Sequence, residues 1–443
     1  MVGGSGFYGK PTKRQLADCF AFGEEYLIEN SPLYTDPRLI EIRKRADSGL
    51  DTTELRRKLA LDTEEDPLVM VSDLVNIAAE LPAGYQRDVR LDQARSLRIV
   101  AMIATNDLGV TRHKLNYKEA LFAITGVEPL LIPTDVHVNQ YRLQTFQQMG
   151  VTGSDTDSLA EAARRWREEV GFLSKSEMGI AYRDASQLVL EILKKHKLLP
   201  QSAELNVDIL HHAPFMGFFA YGNKEGEVYG ETCMVESDTK CVFDVINTAL
   251  HEVGGHYLLH ALWHKYARNT GDLYGAVGAM ACNQAVVNEG YANTARKLFR
   301  DDLTHIFKNM RVGGLEKMSD KELETNLYIS ANLEYLSMMA LGYMAARYFH
   351  ARDITAEQME QEYIALGVDP HRAKSRVEHM TQSKSMLKPF CYYGPSYFPG
   401  MAVVSDLADK LPALSVINLA GDSRGPPSLS TLDALRKDFS LST

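Results

Sequence analysis

The spacing of apolar residues is the feature that most limits what this chain can fold into. Across the first 200 residues they recur at three- and four-residue intervals, which places them on one face of an α-helix. The segments with this pattern are 12–29, 68–80, 91–105, 159–170 and 178–196. We therefore predict a helical N-terminal half.

One part of the chain has the pattern of strands. Residues 214–235 contain two aromatic-rich runs separated by a Gly-containing turn, which predicts a β-hairpin. Helical periodicity resumes over about 242–267, 275–300, 320–350, 355–365 and 370–383. A Tyr/Pro/Gly-rich loop is expected at 389–400, and irregular structure after it.

The predicted fold is mainly α, a helical body with a small β-hairpin beside the helix that starts near residue 242. We expect three parts: a helical half at 1–200, a second half at 201–412 that contains the hairpin, and an irregular tail at 413–443. A deep cleft is expected between the two helical halves.

The charge and composition of the chain limit the classes of binding partner that we expect. The chain is 45% hydrophobic and 24% charged with a net charge of −10, and no long basic block offsets that acidity. Nucleic acids and anionic membrane surfaces are therefore not expected as partners. The N-terminus lacks the apolar core of a signal peptide, and no stretch reaches 18 apolar residues. Five scattered cysteines without a CxxC pair indicate reduced thiols and a cytoplasmic location.

The run His251-Glu252-Val-Gly-Gly-His256 carries the strongest chemical signal, and Glu289 follows 33 residues after it. Two histidines and a carboxylate form the ligand set of hydrolytic zinc sites, which keep one position open for water. We predict that His251, His256 and Glu289 bind one Zn²⁺ ion. Glu252 is the predicted general base.

The spacing of the two histidines conflicts with a regular helix. Residues five apart point about 140° away from each other on an α-helix, so both imidazoles cannot reach one ion. Gly254 and Gly255 lie between them, where backbone freedom allows an extra residue to be absorbed as a π-bulge. We predict such a bulge within 252–256.

Two alternatives remain open. Glu252, His256, His260 and His264 are spaced four residues apart, so a straight helix could bind metal through the first three. In the other alternative, His260 and His264 are partly buried polar side chains and the chain has no functional metal.

At these residues the chain resembles gluzincin-type zinc metallopeptidases with an extended His-Glu-x-x-x-His motif. The run is similar to the motif of the tubulin tyrosine carboxypeptidases and their bacterial relatives. Gly255 before the second histidine is similar to the motif of dipeptidyl peptidase III. The resemblance covers about 210–400 and is specific at the motif and Glu289. It implies a helical metallopeptidase fold and the same roles for His251, Glu252 and His256.

The surroundings of Glu289 depart from that pattern. Gluzincins often place an aspartate four residues after the ligand glutamate, where it orients a ligand histidine. This chain has Asn293 there. We expect Asn293 to accept that hydrogen bond more weakly and to lower the metal affinity. An ion pair between Glu289 and Arg296 or another basic group is the alternative to metal binding.

A peptidase also needs a donor for the oxyanion of the reaction. Tyr392, Tyr393 and Tyr397 are candidates, because a phenol donates without carrying charge. The resemblance to a Tyr-x-x-Gly loop favours Tyr397, then Tyr393. His379 is a further candidate. The tyrosines could instead pack in the core.

Substrate contacts are expected from Arg372, Arg376, Lys384 and Lys388, which precede the Tyr-rich loop. Arg376 or Lys388 would bind the carboxylate of a peptide C-terminus. The alternative is a solvated helix face. The hairpin at 214–235 could pair its edge with an extended peptide, or could be a purely structural sheet.

These features predict zinc-dependent hydrolysis of peptide or related amide bonds. A closed helical cleft favours exopeptidase action on short peptides or chain ends. Two other classes remain: an Fe(II) enzyme with the same two-His-one-carboxylate set, and a non-catalytic protein that retains a metal. Glu252 argues against Fe(II) chemistry, which has no use for a general base at that position.

Overall fold

The computed structural model of the chain describes residues 68–107, 117–128, 131–150, 159–210, 217–224, 227–235, 240–270, 283–312, 314–366, 368, 370–381, 388–421 and 425–441. The helix expected at 12–29 lies outside these residues. Within them the chain is mainly helical, which confirms the predicted fold class.

Six helices precede the sheet in the described part of the chain. They are α1 (Leu68–Glu80), α2 (Tyr85–Asp107), α3 (Tyr117–Thr125), α4 (Asp135–Gln148), α5 (Leu159–Val170) and α6 (Lys175–Lys195). The helices expected at 68–80 and 159–170 are confirmed with the same bounds. Capping boxes set the starts of α4 and α6, where Thr134 and Ser174 accept hydrogen bonds from the third residue of each helix.

The sheet has three strands rather than the two of the predicted hairpin. These are β1 (Glu204–Leu210), β2 (Gly217–Lys224) and β3 (Glu227–Val235). β3 is central: it pairs antiparallel with β2, which confirms the hairpin, and parallel with β1. β1 buries Leu205 and Ile209 and was not predicted. Its apolar residues Leu205, Val207 and Ile209 alternate with polar ones, a strand pattern that the sequence analysis overlooked.

The helices after the sheet carry the motif. α7 (Val242–Ala249) continues through a π-helix (Leu250–Tyr257) into α8 (Leu258–Thr270), which together form the motif helix. The following elements are α9 (Asn283–Leu298), α10 (Leu303–Asn309), α11 (Asp320–Ala346), α12 (Ala356–Ala365) and α13 (Pro370–Thr381). A second π-helix (Arg347–Ala351) ends α11.

Two predictions for the C-terminal region are wrong. The expected loop at 389–400 lies within a long helix, α14 (Lys388–Lys410), and the expected irregular tail contains α15 (Ala413–Ala420) and α16 (Leu429–Leu441). Prolines and glycines suggested a loop, but α14 packs along α9 and buries Val403, Val404 and Leu407. Tertiary packing here outweighs local propensity.

The largest apolar cluster runs from Leu74 in α1 to Leu432 in α16 and therefore contains side chains from both sides of residue 200. A smaller cluster lies between α3 and the helices α11 to α13. Among the described helices, none has the length and apolar composition needed to cross a bilayer. The motif helix and α9 lie within the large cluster.

Candidate metal centre

Asp244 anchors the start of the motif helix. Its carboxylate accepts hydrogen bonds from the backbone N–H of Cys241, from Arg167 of α5 (2.8 Å) and from Ser330 of α11 (2.8 Å). Burial raises the pKa of Asp244, but Arg167, Lys240 and Ser330 together outweigh it and hold the pKa below its usual value. The ionised carboxylate thus ties α7 to two neighbouring helices, about two turns before the motif.

The π-helix brings the two motif histidines to the same side of the helix. Hydrogen bonds in a π-helix join residues five apart, so side chains at that spacing lie one above the other. His251 and His256 have this spacing, and their Nε2 atoms lie 3.1 Å apart with the ring planes at 89°. The bulge predicted within 252–256 is confirmed, although it extends over Leu250–Tyr257.

The glycines of the motif act differently from our prediction. Neither Gly254 nor Gly255 has a positive φ angle, so the π-helix does not need their backbone freedom. Gly255 instead allows a close approach to α9: a Cβ atom there would lie 2.2 Å from Cα of Ala292. The missing side chain therefore lets the motif helix contact the backbone of the helix that carries Glu289.

Glu289 completes a cluster of three side chains. One carboxylate oxygen lies 3.7 Å from Nε2 of His251, and the other lies 3.7 Å from Nε2 of His256. The carboxylate is 10% exposed, and His256 and His251 are 6% and 25% exposed. These are the three predicted ligands, supplied by two packed helices.

The distances within the cluster fit a zinc ion. Ligand bonds of about 2.0–2.2 Å give a tetrahedron with edges of roughly 3.3–3.6 Å. The separations of 3.1 and 3.7 Å lie on either side of that range. In their neutral form two imidazoles would offer one Nε2 lone pair each, which a single cation can accept together. The residues present therefore fit the metal.

Glu252 lies beside the cluster and is buried. An oxygen of its carboxylate is within 4.8 Å of one ring nitrogen of each motif histidine. Its Oε2 atom is shielded from solvent and has no hydrogen-bond partner among the described residues. The pKa of Glu252 is raised to about 7, chiefly by burial and also by Glu289, although His256 and Lys240 act in the opposite direction. Such a carboxyl can exchange a proton near neutral pH.

His251 is held neutral in this environment. The pKa of His251 is lowered to about 3, chiefly by burial and also by His256, although the Glu334 carboxylate on α11 acts in the opposite direction. A neutral imidazole is the form that binds metal. Glu334 also lies 3.6 Å from Arg376 of α13, which donates a hydrogen bond to Ser337. Arg376, a predicted substrate contact, therefore interacts with Glu334 and Ser337 of α11.

Asn293 does not act as expected. Its Nδ2 atom donates to the backbone oxygen of Glu289 (2.8 Å) and lies 3.4 Å from Oε2 of the same residue. It therefore holds the carboxylate rather than accepting from a histidine. Arg296 lies over the ring of Tyr328, 3.7 Å from the centroid, and forms no ion pair with Glu289. Arg296 is therefore not the ion-pair partner of Glu289.

The straight-helix alternative is also wrong, because the motif helix contains a π-helix. His260 is not part of the group formed by His251, Glu252 and His256. Its Nε2 atom lies 3.0 Å from Nδ2 of Asn288. The side chain of His264 lies outside the described residues. His260 is thus a buried polar side chain, which is the part of the second alternative that concerns this residue.

The remaining predicted site residues are only partly described. Tyr397 lies on α14, is half-buried and packs against both apolar clusters. The side chains of Tyr392, Tyr393, Lys388, His379 and Arg372 lie outside the described residues, as does Lys384 altogether. The edge strand β2 packs against the motif π-helix, as the hairpin prediction required.

Three residues near the site were missed by the sequence analysis. The Glu334 carboxylate raises the pKa of His251, and Lys240 lowers the pKa of Glu252. Tyr182 of α6 is fully buried near Glu252, and its hydroxyl lies 2.6 Å from Oγ1 of Thr232. Each is a single polar residue outside the motif, and Tyr182 and Glu334 are also far from it in sequence. Only the Ser330, Glu334, Ser337 spacing, which places polar groups on one face of α11, could have indicated one of them.

No family model matches the sequence, and no curated protein matches it. Several solved structures are similar. A protein from Shewanella oneidensis, described as a lipoprotein of unknown function, is 12% identical over 98% of this chain and 83% of its own, with a TM-score of 0.45. A protein from Colwellia psychrerythraea, described as a lipoprotein, is 12% identical over 93% of this chain, with a TM-score of 0.39.

A third structure, described only as that of CHT, is 11% identical over 91% of this chain and 81% of its own, with a TM-score of 0.36. The chain spans 57% of the length of the Colwellia protein. Function therefore has to be argued from the site itself.

Proposed function

We propose that this protein is a zinc-dependent hydrolase of peptide or related amide bonds. One observation supports the proposal: the Nε2 atoms of His251 and His256 converge to 3.1 Å with the Glu289 carboxylate 3.7 Å from each, beside the buried Glu252. In this proposal the first three side chains hold one Zn²⁺ ion, and Glu252 is the general base.

The chemistry divides between metal and protein. A bound Zn²⁺ ion would polarise the carbonyl and make water a stronger nucleophile at neutral pH. Glu252 would take the proton of the attacking water and return it to the departing amine. Its pKa of about 7 supports both transfers, because the carboxyl can gain and lose a proton near neutrality.

The substrate contacts are proposals of the same kind. Tyr397, or Tyr393, would donate to the oxyanion. Arg376 or Lys388 would bind the carboxylate of a short peptide, consistent with exopeptidase action. Cytoplasmic location remains our proposal, and the buried thiols of Cys233 and Cys241 fit a reducing compartment.

An Fe(II) enzyme that activates oxygen would use the same ligand set. Such chemistry has no use for a buried carboxylate next to the ligands. Glu252 has an oxygen without a hydrogen-bond partner among the described residues, which favours hydrolysis. Measuring the metal content of the protein in the same experiment as peptide cleavage distinguishes a zinc hydrolase from an iron enzyme.

The test measures metal content and cleavage of a peptide library by the wild type, Glu252→Gln and the control Glu168→Gln. Glu168 is an exposed carboxylate on α5. We expect one zinc ion per chain in all three proteins, with chelator-sensitive cleavage in the wild type and the control. Glu252→Gln should cleave at least about 10²-fold more slowly. Iron with oxygen uptake, zinc without any cleavage, or an unaffected Glu252→Gln would each contradict the proposal.

A further inference from the structure

We infer that the hydrogen bond between His260 and Asn288 is a positioning clamp for the candidate metal centre. It fixes the helix that carries Glu289 against the helix that carries His256. The inference rests on the proposed metal binding and gives a role to two residues that bind neither metal nor substrate in that proposal. We call this pair the His260–Asn288 clamp.

The clamp joins the two ligand-bearing helices next to a ligand on each. Nδ2 of Asn288 lies 3.0 Å from Nε2 of His260, and both residues are buried. His260 is one turn beyond His256 on the motif helix. Asn288 directly precedes Glu289 on α9. A shift of one helix along the other would therefore break this hydrogen bond and, at the same time, change the distance between His256 and Glu289.

A second contact lies on the other side of the ligands. Gly255 packs against the backbone of Ala292, so that no side chain separates the two helices there. On α9, Asn288 and Ala292 flank Glu289, about 6 Å apart along the helix axis. On the motif helix, Gly255 and His260 flank His256 in the same way. Two contacts with the ligands between them fix both the sliding and the rotation of the helices.

The clamp is a poor device for stability alone. Oδ1 of Asn288 is buried and has no hydrogen-bond partner in the described part of the chain. A buried amide that satisfies only one of its ends costs free energy, whereas two apolar side chains of similar shape at positions 260 and 288 could be nearly neutral. A hydrogen bond has a fixed direction, whereas apolar packing does not. The relative positions of His256 and Glu289 require such a directional contact.

The experiment separates positioning from stability. His260→Leu, Asn288→Leu and the double variant are compared with the wild type. Tyr291→Phe is the matched control, because it removes a buried hydrogen bond from α9 to Val416 without touching the motif helix. The zinc dissociation constant is measured by competition with a chelator, and the melting temperature is measured on metal-free protein.

We expect each single variant to bind zinc at least about tenfold more weakly, since partners that orient ligands typically contribute 10- to 100-fold. Each should also melt at a lower temperature, because one polar partner is left buried and unsatisfied. The double variant should regain the melting temperature and keep the weak zinc binding. Tyr291→Phe should lower the melting temperature and leave zinc binding unchanged.

Zinc affinity that returns to the wild-type value in the double variant would overturn the inference, as would single variants with normal affinity. If the single variants do not fold, the double variant alone decides. A wild type that binds no zinc ends both this inference and the proposed function. A wild type that binds zinc but cleaves nothing ends only the proposed hydrolysis.

Discussion

Asn293 holds the carboxylate of Glu289 from one helical turn away. Its amide donates to the backbone and faces the side-chain oxygen of the same residue. Asn293→Leu should therefore weaken zinc binding by about 10- to 100-fold, because Glu289 loses the group that orients it. Zinc titration of the metal-free protein measures this directly.

Thr294→Val is the control for Asn293→Leu. Thr294 donates a similar hydrogen bond to the backbone oxygen of Gly290, one residue further along the same helix. It should leave zinc affinity unchanged. Equal losses in the two variants would mean that α9 is merely loosened and that Asn293 has no special contact with Glu289.

At the scale of residues, the sequence predicts which side chains meet but not how they pair. The spacing of His251 and His256 required a π-helix, and that helix is present. The partners of Asn293, Arg296 and His260 depend on the rotation of each helix about its axis. That rotation is set by packing in three dimensions, which a one-dimensional spacing does not contain.

At the scale of elements, close contact between the motif helix and α9 is the feature on which the site depends. Gly255→Ala should destabilise the protein by more than about 3 kcal/mol or prevent folding, because its Cβ would lie 2.2 Å from Cα and 2.5 Å from Cβ of Ala292. The free energy of unfolding of metal-free protein is the measurement. Adding Ala292→Gly should not restore it, since the clash with Cα remains.

Gly254→Ala is the matched control. Its Cβ would lie 3.1 Å from the ring of Phe299, a side chain that can shift by a few tenths of an ångström. A helix also gains about 1 kcal/mol from alanine in place of glycine. Gly254→Ala should therefore be much milder. If it destabilises the protein as much as Gly255→Ala, the close approach to Ala292 is not what requires glycine.

Among the elements, strong periodicity was a better guide than composition. The helices Leu68–Glu80 and Leu159–Val170 follow their apolar pattern to the residue. The helix Lys388–Lys410 does not: Pro395 and Pro399 suggested a loop. Its close approach to α9, where the backbone oxygen of Gly400 would lie 2.6 Å from a Cβ on Gly290, could not be predicted from local sequence.

At the scale of the whole molecule, Asp302 links the stability of the fold to pH. It joins the end of α6 to the turn before α10 by accepting hydrogen bonds from Lys195 (2.9 Å) and His196 (2.7 Å). Burial raises the pKa of Asp302, but these two partners outweigh it and hold the pKa below 3.8. The native state thus favours the ionised carboxylate more strongly than the unfolded state does.

The sign of the effect follows from this shift. Above about pH 5 the carboxylate is ionised in both states, and its contribution to stability is fully present. As the pH falls further, the unfolded chain binds the proton first, and the contribution is lost. Asp302→Asn should therefore lower the free energy of unfolding at pH 7, and the difference from the wild type should shrink between about pH 5 and pH 2.

Urea unfolding at a series of pH values tests this prediction, with Asp301→Asn as the control. Asp301 is the exposed neighbour in the same turn. Its substitution should give a small difference that does not vary with pH. A difference for Asp302→Asn that stays constant down to pH 2 would show that its carboxylate has an unshifted pKa.

The central claim is that one π-helical turn and the helix beside it hold a single metal ion through His251, His256 and Glu289. Zinc stoichiometry and affinity, measured on wild type, His251→Ala, His256→Ala, Glu289→Ala and Glu252→Gln, test it most directly. We predict one tightly bound ion in the wild type and in Glu252→Gln, and loss of that ion in each of the three ligand variants. Zinc bound equally well by the ligand variants, or by none of the proteins, would contradict the claim.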